Sequence, residues 1–175
     1  MSTMRIGVTQ RVEVLPSRSE RRDSLDQRWT LLLNAIGMVC LPLPNFPVGA
    51  KRLLDTLAID GLLLSGGNNV GLHAQMADAA PERDDFEKTA LDWMLQRGGP
   101  VLGICRGMQM MNYYLGGRLS PVRGHAGWRH PVTAAKPDAA WAVLRDVNSF
   151  HEFGMGAADL AGELDVTLLG GFVPD

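Results

Sequence analysis

The sequence is poor in cysteine, in net charge and in long hydrophobic runs. Its 175 residues include two cysteines, Cys40 and Cys105, which argues against a disulfide framework and against a cysteine-based zinc site. The formal net charge is −2, without the basic surface typical of nucleic-acid binding, so no nucleic-acid partner is expected. Apolar runs fall short of the ~20 residues of a membrane helix, and the amino terminus does not resemble a secretory signal. We therefore expect a cytoplasmic protein without a membrane partner.

The composition predicts one globular domain over residues 1–175. The chain is 46% hydrophobic and 21% charged, and this length can bury a substantial core. A small basic cluster is offset by acidic neighbours, which favours a solvated helix face that an anionic ligand could also use. Its members are Arg18, Arg21 and Arg22, and the acidic neighbours are Glu20, Asp23 and Asp26.

Short apolar runs alternate with helical periodicity over the first two thirds of the chain. Strands are predicted at 5–9, 38–41, 59–64 and 100–105, and helices at 25–36, 48–57, 84–96 and 106–115. A polar loop is predicted around Pro16 and Ser17, and weaker strand signals follow at 118–122, 129–133, 147–150 and 164–172. Four strand-then-helix units in succession predict an α/β fold, a doubly wound and mostly parallel sheet with helices on both faces.

The segment LGICRGM at 102–108 places a cysteine between two glycines where a strand, predicted to be buried on both faces, meets a helix. Such a junction requires a sharp turn in which bulky neighbours would clash, so Gly103 and Gly107 are expected on either side of Cys105. The N-terminus of the new helix would stabilise a thiolate at that position. Cys105 is therefore a candidate nucleophile, with an inert buried cysteine as the plain alternative.

Two backbone segments could supply hydrogen bonds to the oxyanion that forms when a thiolate attacks an acyl carbon. One is the N–H of Arg106, and the other is the turn at Gly66 and Gly67, which could equally be only a turn. Gln109 shares the helix face of Cys105 and could bind a substrate, although a helix-surface glutamine is the simpler interpretation. Neither a metal nor a cofactor is expected.

The chain offers four histidines as candidate bases. His73 lies in a polar, alanine-rich segment, and the pair His125 and His130 lacks further ligands at metal-binding spacing. His151 follows a predicted strand and is the best placed of the four. The residues alone mark none of them as the base.

Four ordered motifs resemble those of the class I glutamine amidotransferase superfamily, and in particular its γ-glutamyl-γ-aminobutyrate hydrolase group. They are GLLLSGGN at 61–68, GICRGMQ at 103–109, GG at 116–117 and VNSFH at 147–151. Three further segments are similar to γ-glutamyl-CDP-amidate hydrolases, which act in the synthesis of bacterial surface polysaccharides: GVTQR at 7–11, RDSLDQRW at 22–29 and LPN at 43–45. The resemblance implies a flavodoxin-like fold of the glutamine amidotransferase type.

The resemblance also implies roles for individual residues. Cys105 would attack the carbonyl of a γ-glutamyl amide and form a glutamyl thioester that water hydrolyses to glutamate. Arg106 and Gly67 would donate N–H groups to the oxyanion, and Gly66 would shape the turn. The remaining substrate-binding positions are Gln109, Asn148, Ser149 and His151. Arg11, Arg22 and Asn45 are candidates for contacts with a nucleotide leaving group.

The chain departs from the family pattern in one place. The family carries its catalytic histidine and a supporting glutamate in a W-H-P-E motif beyond a final hairpin, and residues 1–175 contain no such motif. The expectation is therefore an amidotransferase-like domain that lacks its C-terminal catalytic segment, unless His151 substitutes as the base.

Other functions stay open at this point. An ammonia-donating glutaminase subunit of a synthetase would use the same thioester chemistry, and a catalytically silent binding module would keep the pocket without the base. A cysteine-based redox protein on a similar sheet is a further alternative. The expected partner is a small γ-glutamyl substrate, and the sequence leaves a homodimer open.

Overall fold

The computed structural model describes residues 3–71, 78–122, 126–135 and 145–170. The chain divides into two compact units, Met1–Tyr114 and Leu115–Asp175, called unit 1 and unit 2 below. The expectation of a single domain stays a prediction. Within the described ranges, no helix has both the length and the apolar character needed to cross a membrane.

The described residues of unit 1 form a four-stranded parallel sheet, a hairpin and four α-helices. In chain order the elements are β1 (Arg5–Thr9), β2 (Arg11–Leu15), β3 (Glu20–Ser24), α1 (Gln27–Ala35), β4 (Val39–Leu43), α2 (Ala50–Leu57), β5 (Gly61–Leu64), α3 (Pro81–Leu95), β6 (Val101–Gly103) and α4 (Arg106–Tyr114). The sheet order is β4-β1-β5-β6. This arrangement confirms the predicted α/β fold with a parallel sheet.

The register of the sheet brings two loops to one edge. Val8 pairs with Leu63, and Leu64 pairs with Gly103, so β1, β5 and β6 end side by side. The residues that follow β5 and β6 are Ser65 and Ile104. Because ligands bind beyond the carboxyl ends of parallel strands, this edge is where a site is expected.

Helices cover both faces of the sheet. Ile6, Val8 and Leu63 form a buried cluster with Leu33 of α1 on one face. Leu64 points the other way, because side chains alternate along a strand, and it faces Gly107 of α4. A buried apolar layer therefore fixes α4, and with it the residue that precedes α4, against the sheet.

Four sequence predictions were wrong in unit 1. The polar loop around Pro16 and Ser17 is a short 3-10 helix at Pro16–Arg18 that joins the antiparallel pair β2–β3. The basic cluster therefore lies on this hairpin and its turn rather than on a helix face. Helix α3 begins at Pro81 instead of Asp84, because proline is well tolerated in the first turn.

The fourth wrong prediction concerns β6, which was expected to be buried on both faces. In the described part of the chain β6 pairs with β5 alone, and Leu102 is 54% exposed. The apolar run does not imply burial here, because an outer strand has a neighbouring strand on one side only.

The described residues of unit 2 form short strands and one 3-10 helix, Ala157–Asp159. Strand β7 (Ser120–Pro121) pairs with β10 (Phe153–Gly154), and β8 (Trp128–Ala134) pairs with both β9 (Asp146–Ser149) and β11 (Leu168–Gly170). All of these pairs are antiparallel. Strands β7, β8, β9 and β11 lie where the sequence predicted strands, whereas β10 was missed.

Candidate active site

Cys105 lies in the turn between β6 and α4 with a backbone φ of 54°. A positive φ is uncommon for a residue with a side chain, and strain of this kind is found most often at functional sites. The N–H of Ile104 donates to the Leu64 carbonyl at 2.9 Å, and the N–H of Gly107 donates to the Ile104 carbonyl at 2.9 Å. Cys105 is exposed, so the inert buried cysteine considered above is excluded.

The two flanking glycines make this turn sterically feasible. A Cβ on Gly103 would lie 2.6 Å from the carbonyl carbon of Gly107, and a Cβ on Gly107 would lie 2.7 Å from the carbonyl carbon of Leu64. Both contacts are with backbone, which cannot move aside as the end of a flexible side chain can. The close approach of α4 to β5 and β6 therefore requires glycine at both positions.

The loop that follows β5, residues 65–68, faces the cysteine. A Cβ on Gly66 would lie 3.5 Å from Cβ of Cys105 and 3.9 Å from its Sγ. Gly67 and Asn68 have φ values of 84° and 61°, so the chain turns sharply beside the thiol. The structure thus brings together the predicted nucleophile and the glycine pair predicted to activate its substrate.

Loop 65–68 is anchored at both ends. Ser65 Oγ donates to the Thr9 carbonyl at 2.6 Å, and the Ser65 N–H donates to Thr9 Oγ1 at 3.1 Å. At the other end the side-chain amide of Asn68 bonds twice to the backbone of Val12 in β2: Nδ2 donates to the Val12 carbonyl, and Oδ1 accepts from the Val12 N–H. The hairpin that the sequence analysis missed is therefore part of the support for this loop.

Arg106 and Gln109 lie in the first turn of α4, the helix that follows Cys105. Arg106 is the first residue of α4, so its N–H has no acceptor within the helix. Its expected role as an oxyanion donor stays a prediction. The N–H of Gln109 donates to the Cys105 carbonyl at 3.2 Å, and Gln109 is buried rather than on the helix surface. Its expected contact with substrate stays a prediction.

A buried cluster of four charged side chains lies next to Cys105 and loop 65–68, and it was not predicted from the sequence. Its members are Arg83, Asp84, Glu87 and Arg106. Arg83 donates to Glu87 at 2.8 Å, and the Arg106 guanidinium binds both Glu87 and Asp84. The signal was present, since positions 83, 87, 90, 91 and 94 share one face of α3 with a helical spacing. Charged residues within an apolar stripe indicate partners in the interior.

Mutual attraction favours the charged forms of Arg83 and Glu87 in this buried cluster. Burial lowers the pKa of Arg83 to about 10 against the attraction of Glu87, so the guanidinium remains charged at neutral pH. Burial acts to raise the pKa of Glu87, but Arg106, Arg83 and a hydrogen bond from Thr9 together hold it below its usual range. Burial raises the pKa of Asp84 despite the nearby Arg106.

Of the three candidates for leaving-group contacts, Arg11 lies beside the loop. A Cβ on Gly67 would meet Cδ of Arg11 at 3.0 Å, and the Arg11 guanidinium pairs with Glu13. Arg22 instead donates to Glu20 at 2.7 Å within the hairpin. Asn45 is used structurally, because its side-chain amide donates to Asp23 and to the Gln10 carbonyl.

The remaining predicted residues lie in unit 2 or outside the described residues. Asn148 and Ser149 belong to β9, and His151 follows it. Burial, with repulsion from His130, lowers the pKa of His151 despite a hydrogen bond with the Phe153 backbone. His73 and His125 lie outside the described residues. Over the described ranges, His, Cys, Asp and Glu side chains form no group of three or more suited to hold a metal ion.

Comparison with known proteins finds one matching family and several similar proteins. The model of the Peptidase C26 family matches residues 6–168. A gamma-glutamyl-CDP-amidate hydrolase of Campylobacter jejuni is 32% identical over 154 residues, which cover 87% of this chain and 72% of that protein. Protein NtpR of Enterococcus hirae is 32% identical over 162 residues, covering 78% of this chain and 64% of that protein.

A solved structure supports the fold. The crystal structure of a glutamine amidotransferase from Thermotoga maritima superposes with a TM-score of 0.68 at 18% sequence identity. The match covers 96% of this chain and 67% of that one. At this identity the likeness concerns the fold alone.

Proposed function

Because the chain belongs to the Peptidase C26 family of glutamine amidotransferase-like proteins, we propose that it is a cysteine-dependent hydrolase of γ-glutamyl amides that releases glutamate. The observation that carries the proposal is the left-handed Cys105 at the start of α4, with Gly66 against its side chain. This is the geometry of an exposed nucleophile facing a backbone turn.

In the first step the Cys105 thiolate attacks the γ-carbonyl carbon of the substrate. A carbon–sulfur bond forms, and the carbonyl electrons move to oxygen, where the N–H groups of Arg106 and Gly67 bind the developing charge. The carbon–nitrogen bond then breaks, and the amine or amidate leaves with a proton. The product on the enzyme is a glutamyl thioester.

In the second step a water molecule attacks the thioester. The carbon–sulfur bond breaks, glutamate is released and Cys105 is restored. The described residues of unit 1 include no histidine that could act as the general base. We therefore assign the proton transfers to no residue of this unit. The roles expected for Asn148, Ser149 and His151 stay predictions, as does the role of Gln109.

One relative and the position of Arg11 support a γ-glutamyl amide with an anionic leaving group as the substrate. The relative from Campylobacter jejuni is named for a γ-glutamyl amide whose leaving group is a nucleotide amidate. The aliphatic part of Arg11 lies beside Gly67, and its guanidinium pairs with the part-exposed Glu13. Arginine binds phosphate oxygens well, so an anionic leaving group of this kind would compete with Glu13 for this guanidinium. We therefore propose γ-glutamyl-CDP-amidate as the first substrate to test.

The experiment is a glutamate-release assay on a panel of γ-glutamyl amides: γ-glutamyl-CDP-amidate, glutamine and γ-glutamyl-γ-aminobutyrate. Glutamate release from one of them, lost after alkylation of Cys105, is the expected result. The proposal fails if Cys105 is alkylated readily while no member of the panel yields glutamate.

Substituting Gly66 with alanine separates activity from stability. An added Cβ would make ordinary contacts with Cys105, and the φ of Gly66 is not in the left-handed region, so the fold accepts it. The free energy of unfolding should stay the same or rise by up to about 1 kcal/mol. Glutamate release should fall by about tenfold or more, because the methyl group occupies space beside Sγ.

Gly156→Ala in unit 2 is the matched control. Its Cβ would meet Asp159 Oδ2 at 3.5 Å, a contact of the same length, and glutamate release should not change. Unchanged release in Gly66→Ala, measured together with thermal unfolding, would show that the loop does not border the reacting atoms.

Substituting Arg11 with methionine tests the leaving-group assignment. A lost charge-assisted contact of about 1.5–3 kcal/mol corresponds to a rise in KM of about 10- to 100-fold for γ-glutamyl-CDP-amidate. The KM for glutamine, whose leaving group is neutral, should change little. Steady-state kinetics with the two substrates distinguishes these outcomes.

Arg22→Met is the control for this experiment. Arg22 lies on the same hairpin and pairs with Glu20 as Arg11 pairs with Glu13, but it is not among the nearest contacts of a Cβ on Gly67. The substitution should leave both KM values unchanged. Equal changes for the two substrates in Arg11→Met would remove Arg11 from leaving-group recognition.

A further inference from the structure

Arg83 donates hydrogen bonds to three backbone carbonyl groups of the loop that faces Cys105. The residue is fully buried, and its guanidinium donates to the Ser65 carbonyl at 2.7 Å, the Gly66 carbonyl at 3.2 Å and the Gly67 carbonyl at 2.7 Å. It also donates to Asn68 Oδ1 at 3.2 Å and to Ser65 Oγ at 3.2 Å. One side chain therefore satisfies three successive carbonyl groups.

These bonds determine where the N–H groups of the loop point. The peptide between Gly66 and Gly67 is trans and planar, so its carbonyl and its N–H point in opposite directions. The Gly66 carbonyl is held towards Arg83, and the Gly67 N–H must therefore point away from it. Likewise, the Ser65 carbonyl is held towards Arg83, so the Gly66 N–H points away from it.

Arg83 is itself fixed by the group that holds Arg106. Its Nε donates to Glu87 Oε1 at 2.8 Å, and Glu87 also binds the Arg106 guanidinium. Helix α3 thus connects the loop 65–68 to the residue that follows Cys105. The two candidate oxyanion donors, Gly67 and Arg106, share one buried support.

Stability does not explain this support. Removing charges from water costs as much as their pairing commonly returns, so a buried ion-pair cluster contributes little net stability compared with apolar packing. The five hydrogen bonds from Arg83 to loop 65–68 have a positional effect that apolar side chains could not reproduce.

We propose that Arg83 is a positioning residue that directs the N–H of Gly67 at the γ-carbonyl oxygen of a substrate bound to Cys105. The inference rests on the proposed function. It concerns the carbonyl oxygen only, so the intrinsic reactivity of the thiol should not depend on Arg83.

The test compares two alkylating reagents on Arg83→Lys, which keeps the charge but cannot reach all these acceptors. A chloromethyl ketone analogue of glutamine places its ketone oxygen where the γ-carbonyl oxygen would lie. The thiolate forms a carbon–sulfur bond with the methylene carbon, and chloride leaves. Iodoacetamide reacts by the same displacement of a halide without presenting a glutamyl group. Mass spectrometry gives both rates at Cys105.

The ketone rate should fall by about 10- to 100-fold in Arg83→Lys, as expected for a displaced oxyanion donor, while the iodoacetamide rate stays within about twofold. In the glutamate-release assay kcat should fall with little change in KM. Equal losses with both reagents, or no loss with either, would overturn the positioning role. Arg97→Lys, just beyond α3 and paired with the exposed Asp55, is the control and should change neither rate.

Glu87→Gln decides the question if Arg83→Lys does not fold. It keeps the size of the side chain and weakens the hold on Arg83, so the ratio of the two rates should fall about three- to tenfold. An unchanged ratio in folded Glu87→Gln contradicts the proposal. Failure of the proposed function has a different signature, because unmodified protein would then react with iodoacetamide but show no preference for the ketone.

Discussion

Replacing Cys105 with alanine should lower glutamate release from γ-glutamyl amides by on the order of 10³-fold or more, because no other group can form the thioester. The substitution should leave the fold intact, since Cys105 is exposed and its Sγ is not part of the core. An enzyme-coupled glutamate assay, with circular dichroism as the check on folding, measures both effects.

Cys40→Ser is the control, because Cys40 is the second of the two cysteines and lies in β4 against the core cluster beneath α1. It should retain the activity of the unmodified protein, with at most a modest loss of stability. Comparable activity in Cys105→Ala and the unmodified protein would rule out the thioester mechanism.

Replacing Gly103 with alanine should unfold or displace the turn that presents Cys105. Its Cβ would lie within 2.7 Å of backbone atoms of Gly107 and Met108, and neither can move without shifting α4. Overpacking of this kind costs about 1–3 kcal/mol, and here the strain falls on backbone. Chemical denaturation should show this loss, together with a reduced rate of glutamate release.

Gly162→Ala provides the comparison for this substitution, because an added Cβ there meets nothing within 4 Å. Its free energy of unfolding should differ by no more than about 0.5 kcal/mol. Wild-type stability in Gly103→Ala would mean that α4 and β6 are not packed as closely as described.

The parallel sheet could be predicted because its strands carry local signals. The run of three leucines before the Ser-Gly-Gly turn marks β5, and the glycines at 103 and 107 mark the junction of β6 with α4. These features are set by steric requirements within a few residues. The preference of parallel connections for one hand then predicts helices on both faces, whereas the strand order β4-β1-β5-β6 was not predicted.

The hairpin β2–β3 was missed although residues 11–15 alternate polar and apolar side chains. Its second strand, Glu20–Ser24, consists of polar residues, and its partner lies across a turn that contains proline. Pairing with β2 supplies the order that local propensity does not. The prediction of a loop was reasonable for each half and wrong for the pair.

In the candidate site, Cys105, Arg106 and the two glycines of the loop were identified from sequence, but the support beneath them was not. Arg83 and Glu87 look like an exposed ion pair at helical spacing, which is the commoner arrangement. The apolar residues on the same face of α3 indicate burial instead, and the packing of α3 against β5 and α4 shows that both side chains are buried. Contacts between residues distant in sequence determine this part of the site.

The most direct test of the proposed mechanism is to trap the glutamyl thioester on Cys105. The protein is mixed with γ-glutamyl-CDP-amidate or glutamine, quenched in acid within the first turnovers, and measured by mass spectrometry of intact protein and peptides. The thioester mechanism predicts that the peptide carrying Cys105 gains the mass of one glutamyl group. The same peptide of Cys105→Ala should not gain this mass. Glutamate release without modification of Cys105, or with the adduct on another residue, would contradict this mechanism.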